Sequence, residues 1–183
     1  MQWASLAAVT GWQAPERVDP PLVAEERTML EAWLDYHRDT LVMKCAGLSA
    51  EQLAERSCPP SSLSLLGLVR HMSEVERSWF LRGLDRRDAP GMYYSPDDPD
   101  GDFDNAAPTN ADEALSTFRA EIEAAREAAS RYGLDDVGMT RREGEELHPV
   151  SLRWIYLHMI EEYARHNGHA DLLRERIDGV TGD

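Results

Sequence analysis

The stretch "HMIEEYARHNGHADLLRE", residues 158–175, places three histidines and two glutamates in its first twelve positions. With ~100° per residue in an α-helix and His158 at the origin, Glu162 falls at about 40°, His166 at about 80° and His169 at about 20°. The four side chains share one narrow stripe, with Leu157, Ile160, Ala164, Leu172 and Leu173 spread over its flanks. Such a stripe borders a core, and burying imidazoles and a carboxylate without partners costs several kcal/mol. Two arrangements relieve that cost. One is a hydrogen-bonded His/Glu cluster. The other is a divalent cation, because imidazole and carboxylate are ordinary ligands and i, i+4 spacing brings both to one ion.

A second segment, "GLVRHMSEVERSWF", bears on the choice. His71 stands beside Leu68, Met72 and Val75, on or next to the face its helix buries. Alone, such a histidine reads as a core residue. With Glu162 and His166 offered by another helix, two imidazoles and one carboxylate make a set that leaves coordination positions open, as catalytic centres do. Trp79 lies two turns beyond His71 on the same face, where it either walls a pocket or fills core.

Hydrophobic spacing supplies the helices that would position these groups. Met29, Leu30, Trp33, Leu34, Leu41 and Cys45 mark a first long helix over about 22–46, stopped by Gly47. "SAEQLAER" reads as one or two turns opened by a Ser49/Gln52 capping box. A second long helix runs from Ser62 or Ser64 to Gly83 on a stripe of Leu65, Leu68, Met72, Val75 and Trp79. A third, capped by Asn110, covers 111–132, and a fourth covers Ser151 to Ile177. Neither long connection, 85–110 or 134–150, shows strand alternation. The expected fold is all-α, a four-helix bundle in up-down-down-up order with a long crossover loop between the second and third long helices. Residues 1–21 form an arm, 22–178 the bundle and 179–183 a tail.

The chain has 183 residues, 42% hydrophobic and 29% charged, which suits one globular domain. A formal net charge of −15 argues against nucleic acid and against an anionic membrane surface. No apolar run reaches the ~20 residues that span a bilayer. The N-terminal stretch has no basic region like that of a signal peptide, and the two cysteines, Cys45 and Cys58, form no CxxC. A cytoplasmic location is the expectation.

The segments "SLSLLGLVRHMSEVERSWF" and "HMIEEYARHNGHADLLRE" resemble the two signature helices of the DinB-like superfamily, which includes mycothiol-dependent maleylpyruvate isomerase. The resemblance covers about 22–180 and is nearest to an actinobacterial branch. It implies a four-helix bundle in which one histidine of the second long helix and two residues of the last bind a divalent metal, zinc or nickel. Where many members read HxxxHRGQ, this chain reads "EYARHNGH". The resemblance therefore implies His71, Glu162 and His166 as ligands. His169 stands in place of the glutamine, which leaves it as a fourth ligand, a supporting group or a substrate contact.

The activity so implied is that of a thiol S-transferase, or an isomerase working through a thiol adduct. A metal-bound low-molecular-weight thiol loses its proton near neutral pH and attacks a small electrophile. His158, one turn before Glu162, would accept the thiol proton or orient a ligand, and Trp79 would touch substrate. The rivals are metal-assisted hydrolysis and a non-catalytic metal- or ligand-binding bundle. A homodimer is left open. "DDPDGDFD" (97–104) breaks EF-hand spacing and reads as a solvated acidic loop. The Glu145–His148 pair of "EELH" falls in a loop and is discounted. His37 reads as a core histidine, and Arg27, Tyr36 and Arg38 carry no distinguishing signal.

Overall fold

Helix α1 (Glu26–Cys45) begins four residues later than the hydrophobic spacing predicts. The Glu25 carboxylate accepts from the amides of Arg27 and Thr28 and so does the work of a cap, a role that glutamate rarely signals in sequence. At the other end Gly47 takes φ 76°, the left-handed conformation that lets the chain leave the helix. The computed structural model describes residues 12–141 and 146–182, and within the arm residues 12–20 carry no regular structure although Trp12 is buried.

The capping box is present: Ser49 and Gln52 exchange side-chain bonds around the start of α2 (Ala50–Ala54). Helix α3 (Leu65–Glu76), capped by Ser64, is buried on nearly every side, through Leu65, Leu66, Leu68, Val69 and Met72. It runs directly into a π-helical segment, Arg77–Leu84. Such wide turns are uncommon and concentrate near functional sites. The connection that follows is irregular apart from α4 (Gly101–Asp104) and a 3₁₀ turn at Pro108–Asn110. Helix α5 (Ala111–Ser130) lacks the expected cap: the Asn110 side-chain Oδ1 accepts from the Ala107 amide instead. Helix α6 (Leu152–Asp178) is capped by Ser151, which accepts from the Trp154 amide.

One expectation fails outright. Strands β1 (Val137–Arg141) and β2 (Leu147–Ser151) form an antiparallel ladder with Gly138 opposite Val150 and Met139 opposite Pro149. Alternation does not announce them because β1 packs by backbone rather than side chain. A Cβ on Gly138 would lie 2.3 Å from the carbonyl oxygen of Gly83, so only glycine lets the strand press against the π-helical turn. Pro149 in β2 further disguises the strand.

The fold is thus helix-rich with a small two-stranded sheet. Helix α1 packs along α6, and α3 along α5, around a core that includes Leu34, Leu41, Phe80, Phe118, Met159 and Tyr163. Trp33, expected in the core stripe, is instead 42% exposed, because α1 turns its Leu30/Leu34/Leu41 edge inward. No described helix is long and apolar enough to cross a membrane.

Candidate metal centre

Helix α6 buries Ile155, Tyr156, Met159, Tyr163, Asn167 and Ala170. That leaves His158, Glu162 and His166 at the border of the core, facing α3. His71 and Val75 are the partly open positions on an otherwise buried helix, the His71 side chain 26% exposed. The structure brings one ligand atom from each of His71, Glu162 and His166 within 4.8 Å of one another. Glu162 Oε2 lies 3.4 Å from His166 Nε2, and the rings of His71 and His166 are 4.8 Å apart.

The donor chemistry fits a divalent ion. Ligand atoms ~2.0–2.2 Å from a tetrahedral zinc stand ~3.3–3.6 Å from each other, so the Glu162/His166 pair already has the required separation. Each imidazole has a partner behind its Nδ1. His71 Nδ1 is 2.7 Å from the Asp102 carboxylate, which accepts its proton and turns Nε2 toward Glu162 and His166. His166 Nδ1 is 3.4 Å from His169 Nδ1, an arrangement that leaves His166 Nε2 for Glu162 and the site. Burial first, then the neighbouring His71 and His169, push the His166 imidazole down to about 4, so it is neutral and able to coordinate.

Asp102 is the residue that sequence reasoning missed. It belongs to "DDPDGDFD", expected to be solvated, yet its side chain is 8% exposed. Arg70 explains the burial: its guanidinium donates to the carbonyls of Gly101 and Asp102 and clamps α4 against α3. Phe103 then stacks on the His71 ring at 5.0 Å. Only Arg70 adjacent to His71, opposite an aspartate-rich loop, could have hinted at this, and the pairing spans about thirty residues.

The other expected site residues separate. His158 Nε2 is 3.6 Å from Glu162 Oε1, and the ring lies between Trp154, stacked at 4.8 Å, and Trp79, edge-on at 4.6 Å. His158, Glu161 and Glu162 form a second group of donor atoms within 4.8 Å. His169 belongs to neither group and sits behind His166. Trp79 is half-buried, beside a cleft under the hairpin that Trp154 and His148 also line. Glu145 lies outside the described residues. His37 lies elsewhere, its carbonyl accepting from Asn167. Arg27 donates to the carbonyls of Ala129 and Tyr132, and Arg38 is sealed in an ion pair with Glu76, so neither is offered to a substrate.

Over residues 29–179 the chain matches the Mycothiol-S-transferase family, a DinB-like family. No curated protein matches it.

Proposed function

The chain belongs to the Mycothiol-S-transferase family, and on that premise we propose a metal-dependent thiol S-transferase built on a four-helix bundle of α1, α3, α5 and α6. Its ligands are His71, Glu162 and His166, its cation zinc or nickel, and its co-substrate a low-molecular-weight thiol such as mycothiol. A divalent ion held there would supply the Lewis acid that lowers the pKa of a bound thiol. The single observation carrying this reading is the convergence of three donor atoms from two helices within 4.8 Å.

The residues divide the remaining work. Asp102 orients His71 and raises its basicity, and His169, with its Nδ1 3.4 Å from His166 Nδ1, supports the His166 ring from behind. His158, beside Glu162 but held by two indoles, takes the thiol proton. The thiolate sulfur then forms a bond to the electrophilic carbon of the acceptor while the leaving group departs with its electron pair. Because His169 stands behind His166 rather than in the three-donor group, a coordination position remains for the thiol, and this favours catalysis over a closed, purely structural site.

Cobalt substitution tests the proposal. Addition of mycothiol to the cobalt-loaded protein should produce a sulfur-to-metal charge-transfer band, and Glu162→Gln should weaken it, since an amide is the poorer ligand. Stoichiometric cobalt binding with no band from mycothiol or any other abundant cellular thiol would contradict thiol activation.

A further inference from the structure

The cleft beside the donor cluster has a chemistry of its own. It holds about 490 Å³ between the π-helical segment, the first turn of α6 and the hairpin, with Trp79, Trp154, Thr140, His148 and Val150 among its walls. The two indoles meet at 5.1 Å with their planes 50° apart, and Trp154 is 41% exposed. Both rest on His158, whose Nε2 is 3.6 Å from Glu162. The two indoles thus line the cleft on one side and touch His158, the neighbour of Glu162, on the other.

Its described lining contains no carboxylate, guanidinium or ammonium group. A dicarboxylate would find no guanidinium or ammonium partner among these residues, whose polar side chains are Thr140, His148 and Ser151. Electron-rich indole faces suit a flat ring of opposite polarity, which stacks by dispersion and by quadrupole complementarity. The wide π-helical turn places Trp79, and the glycine contact between Gly138 and Gly83 sets the hairpin close enough to form the third wall.

We propose that this cleft is the acceptor subsite, and that the acceptor is an uncharged, planar, electron-poor aromatic electrophile bearing a leaving group. The assignment rests on the thiol-transfer reading above. With an aryl halide the balance is simple: the thiol sulfur's electron pair forms the carbon–sulfur bond, the carbon–halogen pair leaves with halide, and the thiol proton passes to His158 and on to solvent.

Equilibrium dialysis with 1,3-dinitrobenzene, which has no leaving group, tests binding apart from turnover. It is measured on the full chain both as purified and after chelation. The expected result is one saturable site that survives metal removal. Trp154→Leu and Trp79→Leu should each weaken it at least ten-fold, Trp154→Phe should restore most of it, and Trp33→Leu, remote on α1, should leave it unchanged. Neither maleate nor mycothiol should displace the probe. Trp154 is 41% exposed and lies outside the buried core, so its replacement does not threaten the core. Absence of saturable binding, or equal binding by Trp154→Leu and wild type, would overturn the proposal. Displacement by mycothiol would assign the cleft to the thiol, and displacement by maleate to an anionic acceptor; either also overturns it. Because chelated protein is used, failure of the metal reading shows up separately, as a lack of bound metal with the dialysis result intact.

Discussion

Two polar clusters share helices α3 and α6, the first drawing Arg38 from α1 as well, and they are built on opposite principles. In the first, Glu76 of α3 is fully buried and receives both Arg38 Nε and Nη2 at 2.7 Å, with the Tyr163 hydroxyl donating at 2.7 Å. Burial alone would lower the Arg38 pKa, but the adjoining Glu76 charge and hydrogen bonds more than offset it and hold the guanidinium firmly charged. Every strong acceptor there has a donor. In the second, ligand atoms of His71, Glu162 and His166 converge within 4.8 Å, with Asp102 behind His71 Nδ1 and His169 Nδ1 3.4 Å from His166 Nδ1. A closed ion pair secures the fold. A convergence of bases suits the proposed cation.

That contrast can be broken from either side. The largest effect belongs to the closed cluster. Arg38→Ala should destabilise the fold by ~3–5 kcal/mol in denaturant unfolding, because Glu76 is left charged and buried, while metal stoichiometry in the surviving folded protein stays unchanged. A loss of under ~1 kcal/mol would place Arg38 among exposed pairs and remove the distinction between the clusters.

A smaller effect belongs to the support behind His71. Asp102→Asn keeps the shape but replaces the carboxylate by a weaker acceptor, so zinc affinity in a chelator competition should fall ~10–100-fold. Unchanged affinity would return Asp102 to the role of a loop anchor.

The smallest concerns protons. In metal-free protein the His166 ring should titrate near 4 by NMR, against an ordinary 6.5. Between those values the unfolded chain binds a proton that the fold refuses. This contribution to stability is therefore complete above about pH 6.5 and is lost as pH falls toward 4. A midpoint at 6.5 would mean that the cluster is open to water.

The two clusters also differ in how visible they were in sequence. The histidine stripe of α6 was legible because i, i+4 spacing within one helix is local, and Ser49, Ser64 and Ser151 announced helix starts the same way. Nothing local in the sequence marked Glu76, since its partner is 38 residues away. Asp102 was hidden for the same reason: its burial depends on Arg70 reaching across to the carbonyls of α4. The hairpin escaped because Gly138 and Pro149, both poor strand residues, serve a backbone contact with Gly83 that hydrophobic periodicity cannot express. Local pattern revealed the helices and one face of the site; long-range hydrogen bonds built the rest.

The central claim is that the metal joins α3 to α6 through His71, and the competing arrangement is the local group of His158, Glu161 and Glu162. Elemental analysis of gently purified His71→Ala and His158→Ala proteins, with wild type alongside, decides between them. The account predicts about one divalent ion per chain in wild type and in His158→Ala, and none retained by His71→Ala, which should also lose the rise in melting temperature that zinc gives by binding only the folded state. Metal kept by His71→Ala and lost from His158→Ala would contradict it.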